Sequence, residues 1–199
     1  MKTQIKTIIA TTFAALTLTV SSLSANAISK HPLADTSNVK TFKKVNVGRN
    51  LEVTFVQSNK EGISYADDNY GTAQVMQEGD QLTITSTTNG IAKLIVYVTD
   101  IYRIQGSDNA VIKTEGKLDV TNLQIFLKGN AQANINTSTS SLYTILNDNS
   151  TLTLSGATEK HTLAGSKNSN LTMTHFAAQK TDLEAHTALG NLDKLAATK

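Results

Sequence analysis

The chain has 199 residues, with 18 Lys and Arg against 16 Asp and Glu, and it contains no cysteine. Two of the basic residues, Lys2 and Lys6, lie in a segment that we expect to be removed; the remaining 16 basic and 16 acidic residues argue against nucleic acid as a partner. Without cysteine there is no disulfide framework, no thiol catalysis and no cysteine metal site.

The first 27 residues have the features of a signal peptide. Lys2 and Lys6 form a positive start, Ile8–Val20 is mostly apolar, and Ala25–Ala27 fits a small-x-small cleavage site. The apolar run is too short to cross a bilayer, although an uncleaved anchor is the alternative. We therefore predict an exported protein with no transmembrane segment after cleavage. Animal secreted domains of this size often carry disulfides, so their absence favours a bacterial periplasmic or surface protein. The expected location is the periplasm, outer surface or exterior of a Gram-negative bacterium.

The rest of the chain is predicted to be a short lead followed by one domain. Residues 28–41 contain the only proline, Pro32, and are interpreted as an N-terminal lead or cap, with a disordered tail as the alternative. Residues 42–199 are predicted to form a single β-domain. Apolar residues alternate with polar ones on both sides of Gly48–Asn50, which predicts two strands joined by a turn.

Three further elements are predicted before the middle of the chain. Ile63 and Tyr65 indicate a strand, and Glu78–Asp80 indicates a hairpin turn between two strands. The most apolar stretch, Ile91–Ile101, is expected to lie deep in the core.

A repeat occupies the second half. Each copy has an apolar residue, a small polar turn, an Asn followed by Ala or Ser, and then apolar/polar alternation. The copies are Ile104–Ile112, Leu127–Ile135, Leu146–Leu154 and Leu163–Met173. Their asparagines are Asn109, Asn130, Asn149 and Asn168, at spacings of 21, 19 and 19 residues.

A period near 20 residues in a chain rich in Thr, Ser and Asn predicts an all-β fold, a β-solenoid with coils of about 20 residues. The four asparagines would occupy corners, either because Asn tolerates positive φ or because stacked amides hydrogen-bond to one another. Ala177–Ala185 is predicted to be either a helical turn or part of a last coil. Asp182, Glu184 and Lys194 would then supply a polar cap.

The succession of elements resembles a known family. The strands F-x-x-V-x-V and V-x-F-V-Q are followed by E-G-D-x-L-x-I, L-I-V-Y-V and I-x-x-I-x-G-S-x-N-A. These begin at Phe42, Val53, Glu78, Leu94 and Ile101, respectively. The order is similar to that of the auto-transporter adhesin head domain, also called the head GIN domain, over residues 42–195. The resemblance implies a right-handed parallel β-helix-like fold and an adhesin-type role.

Metal binding is not predicted. The oxygen-rich turns Asp67–Asn69 and Asn147–Asn149 lack the ligand spacing of known calcium loops, so we interpret them as solvated turns. The histidines show no zinc spacing and are expected at the surface or in corners. They are His31, His161, His175 and His186. No cofactor is predicted.

An enzyme acting on polysaccharide is one alternative function. Stacking of the coils in register would bring carboxylates and one lysine to a common face, where pairs of carboxylates can cleave glycosidic bonds. These residues are Asp108, Glu115, Asp119, Asp148 and Lys128. No nucleophile motif accompanies them, and scattered surface charges are the simpler interpretation.

The favoured prediction is a non-enzymatic binding or adhesion-type protein that presents a Thr/Ser/Asn-rich face to a cell-surface polysaccharide or protein. Its candidate contact residues are the four repeat asparagines together with Tyr102 and Tyr143. A structural role is the alternative for the asparagines, and packing is the alternative for the tyrosines. A second alternative function is self-assembly into a homo-oligomer through an open coil end.

Overall fold

The computed structural model describes residues 39–68 and 71–184, together with the backbone of Asn191–Asp193. The predicted signal peptide and most of the predicted lead therefore lie outside the described residues. So do several individual residues of the sequence interpretation, namely His31, Asn69, His186 and Lys194.

All the regular elements that the structure describes are β-strands, which agrees with the abundance of Thr, Val and Ile and the alternation of polar and apolar residues. In chain order they are β1 (Lys44–Val47), β2 (Leu51–Gln57), β3 (Gly62–Tyr65), β4 (Ala73–Glu78), β5 (Gln81–Ser86), β6 (Ala92–Val98), β7 (Arg103–Gly106), β8 (Val111–Glu115), β9 (Leu118–Asp119), β10 (Asn122–Leu127), β11 (Gln132–Leu146), β12 (Thr151–Gly165), β13 (Asn170–Leu183) and β14 (Asn191–Asp193).

The strands pair mainly in parallel, in three ladders. Ladder A contains β5, β1, β7 and β10, and then the C-terminal parts of β11, β12 and β13. Ladder B contains β6, β2 and β8, the N-terminal parts of β11, β12 and β13, and then β14. Ladder C contains β9 and the middle parts of β11, β12 and β13. Because β11 pairs with β8, β9 and β10 in turn, the sheet is strongly curled.

The register of the ladders follows the spacing of the repeated asparagines. Arg103 pairs with Gln124, and Gln132 pairs with Thr151, which are separations of 21 and 19 residues. One irregularity occurs between β12 and β13, where the register shifts between Thr153 and Ser155. The spacing in the sequence is thus the spacing at which strands lie side by side.

The core consists of the inward side chains of these ladders. In ladder A one inward column contains Val45, Ile104, Ile125, Thr144 and Leu163, each at most 1% exposed. Fully burying such an aliphatic side chain contributes about 1.5–3 kcal/mol, so the stacked columns dominate the stability of the fold.

The stretch 91–101 is only partly as predicted. Leu94 and Val96 of β6 are buried, but Lys93 is exposed and Ile91 is 58% exposed. A strand turns successive side chains to opposite faces, so a run of apolar residues within one strand does not put every member in the core.

Antiparallel strands cover one end of ladders A and B. β4 pairs with β5 through the predicted turn at Glu78–Asp80, and β3 pairs with β6. At the other end of the chain, Ala177–Leu183 belongs to strand β13, so the helical alternative for this segment is wrong.

The surface position predicted for His161 is also wrong. Its side chain is fully buried in ladder A, its Nε2 lies 2.9 Å from Thr144 Oγ1, and its ring packs edge-on against Phe176. Burial lowers the pKa of His161 to about 4, so the ring is neutral at ordinary pH. His175, in contrast, is exposed as predicted.

Candidate functional site

The repeated asparagines lie in the turns between ladder A and ladder B. All four are exposed, but they do not supply the left-handed residue of these turns. Asp108, Gly129 and Asp148, each directly before an asparagine, have φ of 57°, 71° and 58°. The prediction that the asparagines take positive φ is therefore wrong. Among the asparagines of the described residues, Asn50 alone has this conformation, with φ of 56°, in the equivalent turn after β1.

The predicted amide pairing among the four asparagines is confirmed for one pair, Asn130 and Asn149, whereas Asn109 pairs with Asn50 instead. Asn109 donates from Nδ2 to Asn50 Oδ1 at 2.7 Å and accepts from the Asn50 backbone N–H at 2.9 Å. Asn149 donates from Nδ2 to Asn130 Oδ1 at 3.3 Å. These bonds give Asn109, Asn130 and Asn149 a structural role in the turns, whereas contact of the four asparagines with a ligand stays a prediction.

A Thr/Asn/Gln surface forms on the outward face of ladder B. Two outward columns cross β11, β12 and β13, and all their side chains are exposed or half-buried. They are Gln132, Thr151 and Asn170 in one column, and Asn134, Thr153 and Thr172 in the other.

Tyr102 and Tyr143 lie on the outward face of ladder A, two strands apart. Tyr102, directly before β7, is 37% exposed, and its hydroxyl accepts a hydrogen bond from Gln124 Nε2 at 2.8 Å. Tyr143 on β11 is half-buried and packs edge-on against Phe126, with ring centroids 5.9 Å apart. Burial, and then a hydrogen bond to Glu184, raises the pKa of Tyr143. Packing thus describes Tyr143 better than free exposure.

A groove of 890 Å³ runs across ladder C and the segments beside it. One short segment from each of β11, β12 and β13 contributes to the lining, together with β9, the loop that precedes β7 and the loop that precedes β10. The lining residues are Thr99–Asp100, Asp119–Thr121, Ser138–Ser140, Ala157–Glu159 and Ala177–Gln179.

The lining of the groove is polar and negatively charged. It contains the carboxylates of Asp100, Asp119 and Glu159, several hydroxyl groups, and no Lys or Arg. Asp100 forms an ion pair with Lys43 at 2.8 Å, outside the lining, and this hydrogen bond raises the pKa of Lys43. Both partners are exposed, so the pair contributes little stability.

Buried hydroxyl groups hold the floor of the groove in place. Thr139 donates from Oγ1 to Thr158 Oγ1 at 2.8 Å, and Thr158 donates to the carbonyl of Lys160 at 3.1 Å. At one end, the side chain of Gln57 donates to the Asp119 carbonyl at 2.9 Å and accepts from the Asp119 N–H at 2.7 Å. Such satisfied polar networks rigidify the surface that they support.

The five residues of the enzyme alternative do not all lie on one face. Asp108, Lys128 and Asp148 lie in the turns between ladders A and B, and Asp148 accepts a hydrogen bond from the Gly129 N–H at 2.9 Å. Glu115 ends β8, and Asp119 belongs to the groove. Three of the five residues thus share one row of neighbouring turns, whereas Glu115 and Asp119 lie on other parts of the surface.

The described part of the chain brings no three His, Cys, Asp or Glu side chains into a group that could hold a metal ion. Within the same residues, no helix is long and apolar enough to cross a membrane.

The fold and the groove together define an all-β protein with a strongly curled, mainly parallel sheet and a polar surface groove. Residues 41–192 match the family described as "Putative auto-transporter adhesin, head GIN domain". The chain belongs to this family, as the resemblance in the sequence predicted.

Three of the solved structures with a similar fold come from Parabacteroides species. One, described as a "putative adhesin" from P. distasonis, is 10% identical with a TM-score of 0.55 over 73% of this chain and 74% of that chain. A "putative adhesin" from P. merdae is 14% identical with a TM-score of 0.54 over 73% of each chain. A "Putative lipid binding protein" from P. distasonis is 11% identical with a TM-score of 0.54 over 73% and 74%. No curated protein sequence matches this chain.

The groove was not anticipated from the sequence, apart from the single residue Asp119. A signal for it was present in the Thr-Ser-Thr-Ser run 137–140, where buried Thr137 and Thr139 alternate with Ser138 and Ser140 on the outside. A strand whose inward residues are hydroxylated cannot form an ordinary apolar core, and this marks the place where the polar lining lies.

Proposed function

We propose that the chain is an exported, non-enzymatic binding protein that holds an extended, uncharged polysaccharide in the groove across ladder C. The observation that carries this proposal is the polar lining of the groove, to which β11, β12 and β13 each contribute one short segment.

The geometry of the groove suits a polymer of sugars. Neighbouring strands lie ~4.8 Å apart, which is close to the length of one sugar unit in an extended chain. Hydroxyl, carboxylate and amide groups at that interval can meet the hydroxyls of successive sugars. Segments 138–140, 157–159 and 177–179 would each contact a similar part of the polymer.

The charge of the groove selects among polysaccharides. Asp100 is paired with Lys43, but Asp119 and Glu159 have no ion-pair partner among the described residues, so these two carboxylates would repel an anionic polymer. For an uncharged sugar the same carboxylates are acceptors, and hydrogen bonds to a charged acceptor are stronger than neutral ones.

The lining also favours a sugar over a lipid. One structurally similar protein is described as a "Putative lipid binding protein". An acyl chain requires a mainly apolar cleft, whereas this groove presents Thr, Ser, Asp, Glu and Gln with only Val120 and three alanines as apolar residues.

The architecture that we propose for this function is a right-handed parallel β-solenoid. The parallel pairing at separations of 19 and 21 residues supports coils of about 20 residues, and the family resemblance supports the handedness. The Thr/Asn/Gln surface of ladder B would add contacts of about 1 kcal/mol each to a ligand that extends beyond the groove. The predicted signal peptide and the family membership support export.

The test is a binding screen of the purified protein against neutral and acidic glycans. We expect saturable binding to a neutral glycan. The variant Ala157→Trp, which fills the groove, is expected to lose it. Glu159→Gln should weaken neutral binding by about five-fold, because a neutral amide accepts a weaker bond than a carboxylate. Glu115→Gln, an exposed carboxylate outside the groove, is the matched control and should bind normally.

A second variant tests the row of repeat asparagines (the asparagine row) in the same screen. Asn130, Asn149 and Asn168 are changed to Ser, after unfolding measurements confirm that the variant folds. Loss of binding in this variant with full binding in Ala157→Trp would move the site from the groove to the row. Absence of glycan binding by the parent protein would refute the proposed function.

A further inference from the structure

One arginine on the outward face of ladder A is held in a fixed position. Arg103 on β7 donates from Nε to Gln124 Oε1 at 2.8 Å, and its guanidinium carbon lies 4.7 Å from the centre of the Phe126 ring. Gln124 is fixed in turn, because its Nε2 donates to the Tyr102 hydroxyl at 2.8 Å. The guanidinium therefore has one donor and one face engaged by the protein.

The rest of the guanidinium is available for a ligand. Within the described residues, no carboxylate pairs with Arg103, and its two terminal nitrogens Nη1 and Nη2 have no protein partner. Asp182, which lies farther along the same outward column as Arg103, is paired with Lys180 at 3.1 Å. Two parallel N–H donors in a fixed plane match the two oxygens of a carboxylate.

The surroundings of the guanidinium suit a sugar. Tyr102 is 37% exposed, and Phe126 and Tyr143 are half-buried, so aromatic surface lies next to the charge. The apolar C–H face of a sugar packs on such rings, while the Tyr102 hydroxyl and the Gln124 amide can bond to sugar hydroxyls.

We infer that Arg103, positioned by Gln124 and Phe126, binds the carboxylate of an acidic sugar whose ring lies against Tyr102. This site is separate from the groove, which carries carboxylates and no cation. The inference stands on contacts that the groove does not share, and it does not depend on the proposed function.

A titration with a trimer of galacturonic acid tests the site, with the methyl ester of the same trimer as the uncharged analogue. We expect saturable binding of the acid that weakens as salt is raised, and much weaker binding of the ester. Arg103→Gln should reduce affinity by at least about 10-fold, since a hydrogen bond to a charged group contributes about 1.5–3 kcal/mol.

Three further variants separate the roles of charge and geometry. Arg103→Lys keeps the charge but loses the planar fork, so its affinity should fall between those of the parent and Arg103→Gln. Gln124→Ala removes the bond that positions Arg103 and the bond to Tyr102 but no charge, so it should weaken binding while leaving the salt dependence of binding unchanged. Arg49→Gln, which changes the only other arginine of the chain, is the matched control and should bind like the parent.

The stability of each variant is checked by unfolding measurements. If Arg103→Gln does not fold, the affinity of Arg103→Lys relative to the parent tests the inference instead. Equal binding of acid and ester, full affinity in Arg103→Lys or Arg103→Gln, or no binding by the parent would each overturn the inference. Weakening by Arg49→Gln as large as that by Arg103→Gln would also overturn it, because net charge alone would then account for binding.

Discussion

Acidification should destabilise the fold through His161. The ring is fully buried, Nε2 is bonded to Thr144, and Nδ1 has no hydrogen-bond partner among the described residues. A proton added to the ring would place an unpaired charge in the core, which is the reason that burial lowers its pKa from 6.5 to about 4. In the unfolded chain the same ring is hydrated and takes up its proton at the higher pH.

The difference between the two pKa values of His161 sets the sign and the size of the change in the free energy of unfolding with pH. Between pH 6.5 and 4 the unfolded state binds the proton and the folded state does not, so stability falls as pH is lowered through this window. From pH 7 to pH 4.5, His161 should remove about 2.5 kcal/mol from the free energy of unfolding. This is a large part of the total stability of an ordinary domain.

Urea unfolding at pH 7 and pH 4.5 measures the effect, with the double variant His161→Leu and Thr144→Val as the comparison. The double variant removes the titrating ring and the hydroxyl that would be left unpaired, so it should lose about 2.5 kcal/mol less than the parent on acidification. His175→Leu, which changes an exposed imidazole, should keep the parent's pH dependence. Equal losses in the parent and the double variant would refute the reasoning.

Two further substitutions should destabilise the protein at constant pH, measured by urea unfolding. In Gly156→Ala the new Cβ would lie 2.0 Å from the Thr137 carbonyl oxygen at a φ of 100°, so we expect a loss of about 4 kcal/mol from strain and overlap together. Gly116→Ala, at a φ of 75° with open space around it, should lose only about 1 kcal/mol. Asn109→Ala removes two hydrogen bonds to Asn50 and should lose about 1–2 kcal/mol.

The controls for these substitutions use the same residue types. Similar losses in Gly156→Ala and Gly116→Ala would contradict the overlap with the neighbouring strand. Asn168 has no side-chain partner among the described residues, so Asn168→Ala should change stability by no more than about 0.5 kcal/mol. A loss for Asn168→Ala as large as that for Asn109→Ala would show that the paired amides are not the cause.

The local alternation of residues and the turn residues were sufficient to predict many of the strands, and the order of these elements was sufficient to predict the family. The alternation around Gly48–Asn50 predicted β1 and β2, and Glu78–Asp80 predicted the hairpin of β4 and β5. Each of these depends on neighbouring residues alone, because a strand alternates its faces every residue and a tight turn needs particular residues at particular positions. The spacing of the asparagines also equalled the separation of paired strands, since one turn recurs at each pass of the chain.

The sequence was a poorer guide to the burial of individual polar residues. His161 was expected at the surface and lies in the core, whereas Ile91 was expected in the core and is 58% exposed. The inward or outward direction of a side chain depends on the register of its whole strand, and the register depends on partners about 20 residues away. For a single polar residue such as His161, the neighbouring residues do not show whether its side chain points inward.

The amino-acid sequence by itself determined that the chain forms strands, where many of them turn, and which family it belongs to. The tertiary structure decided the order of the strands within a ladder. In ladder A, β1 lies between β5 and β7, although β5 follows β1 by more than thirty residues in the sequence. It also decided the groove and the position of Arg103 over Phe126, because both are built from side chains on different strands. Contacts between strands depend on register and on the curl of the sheet, and neither is encoded within a single strand.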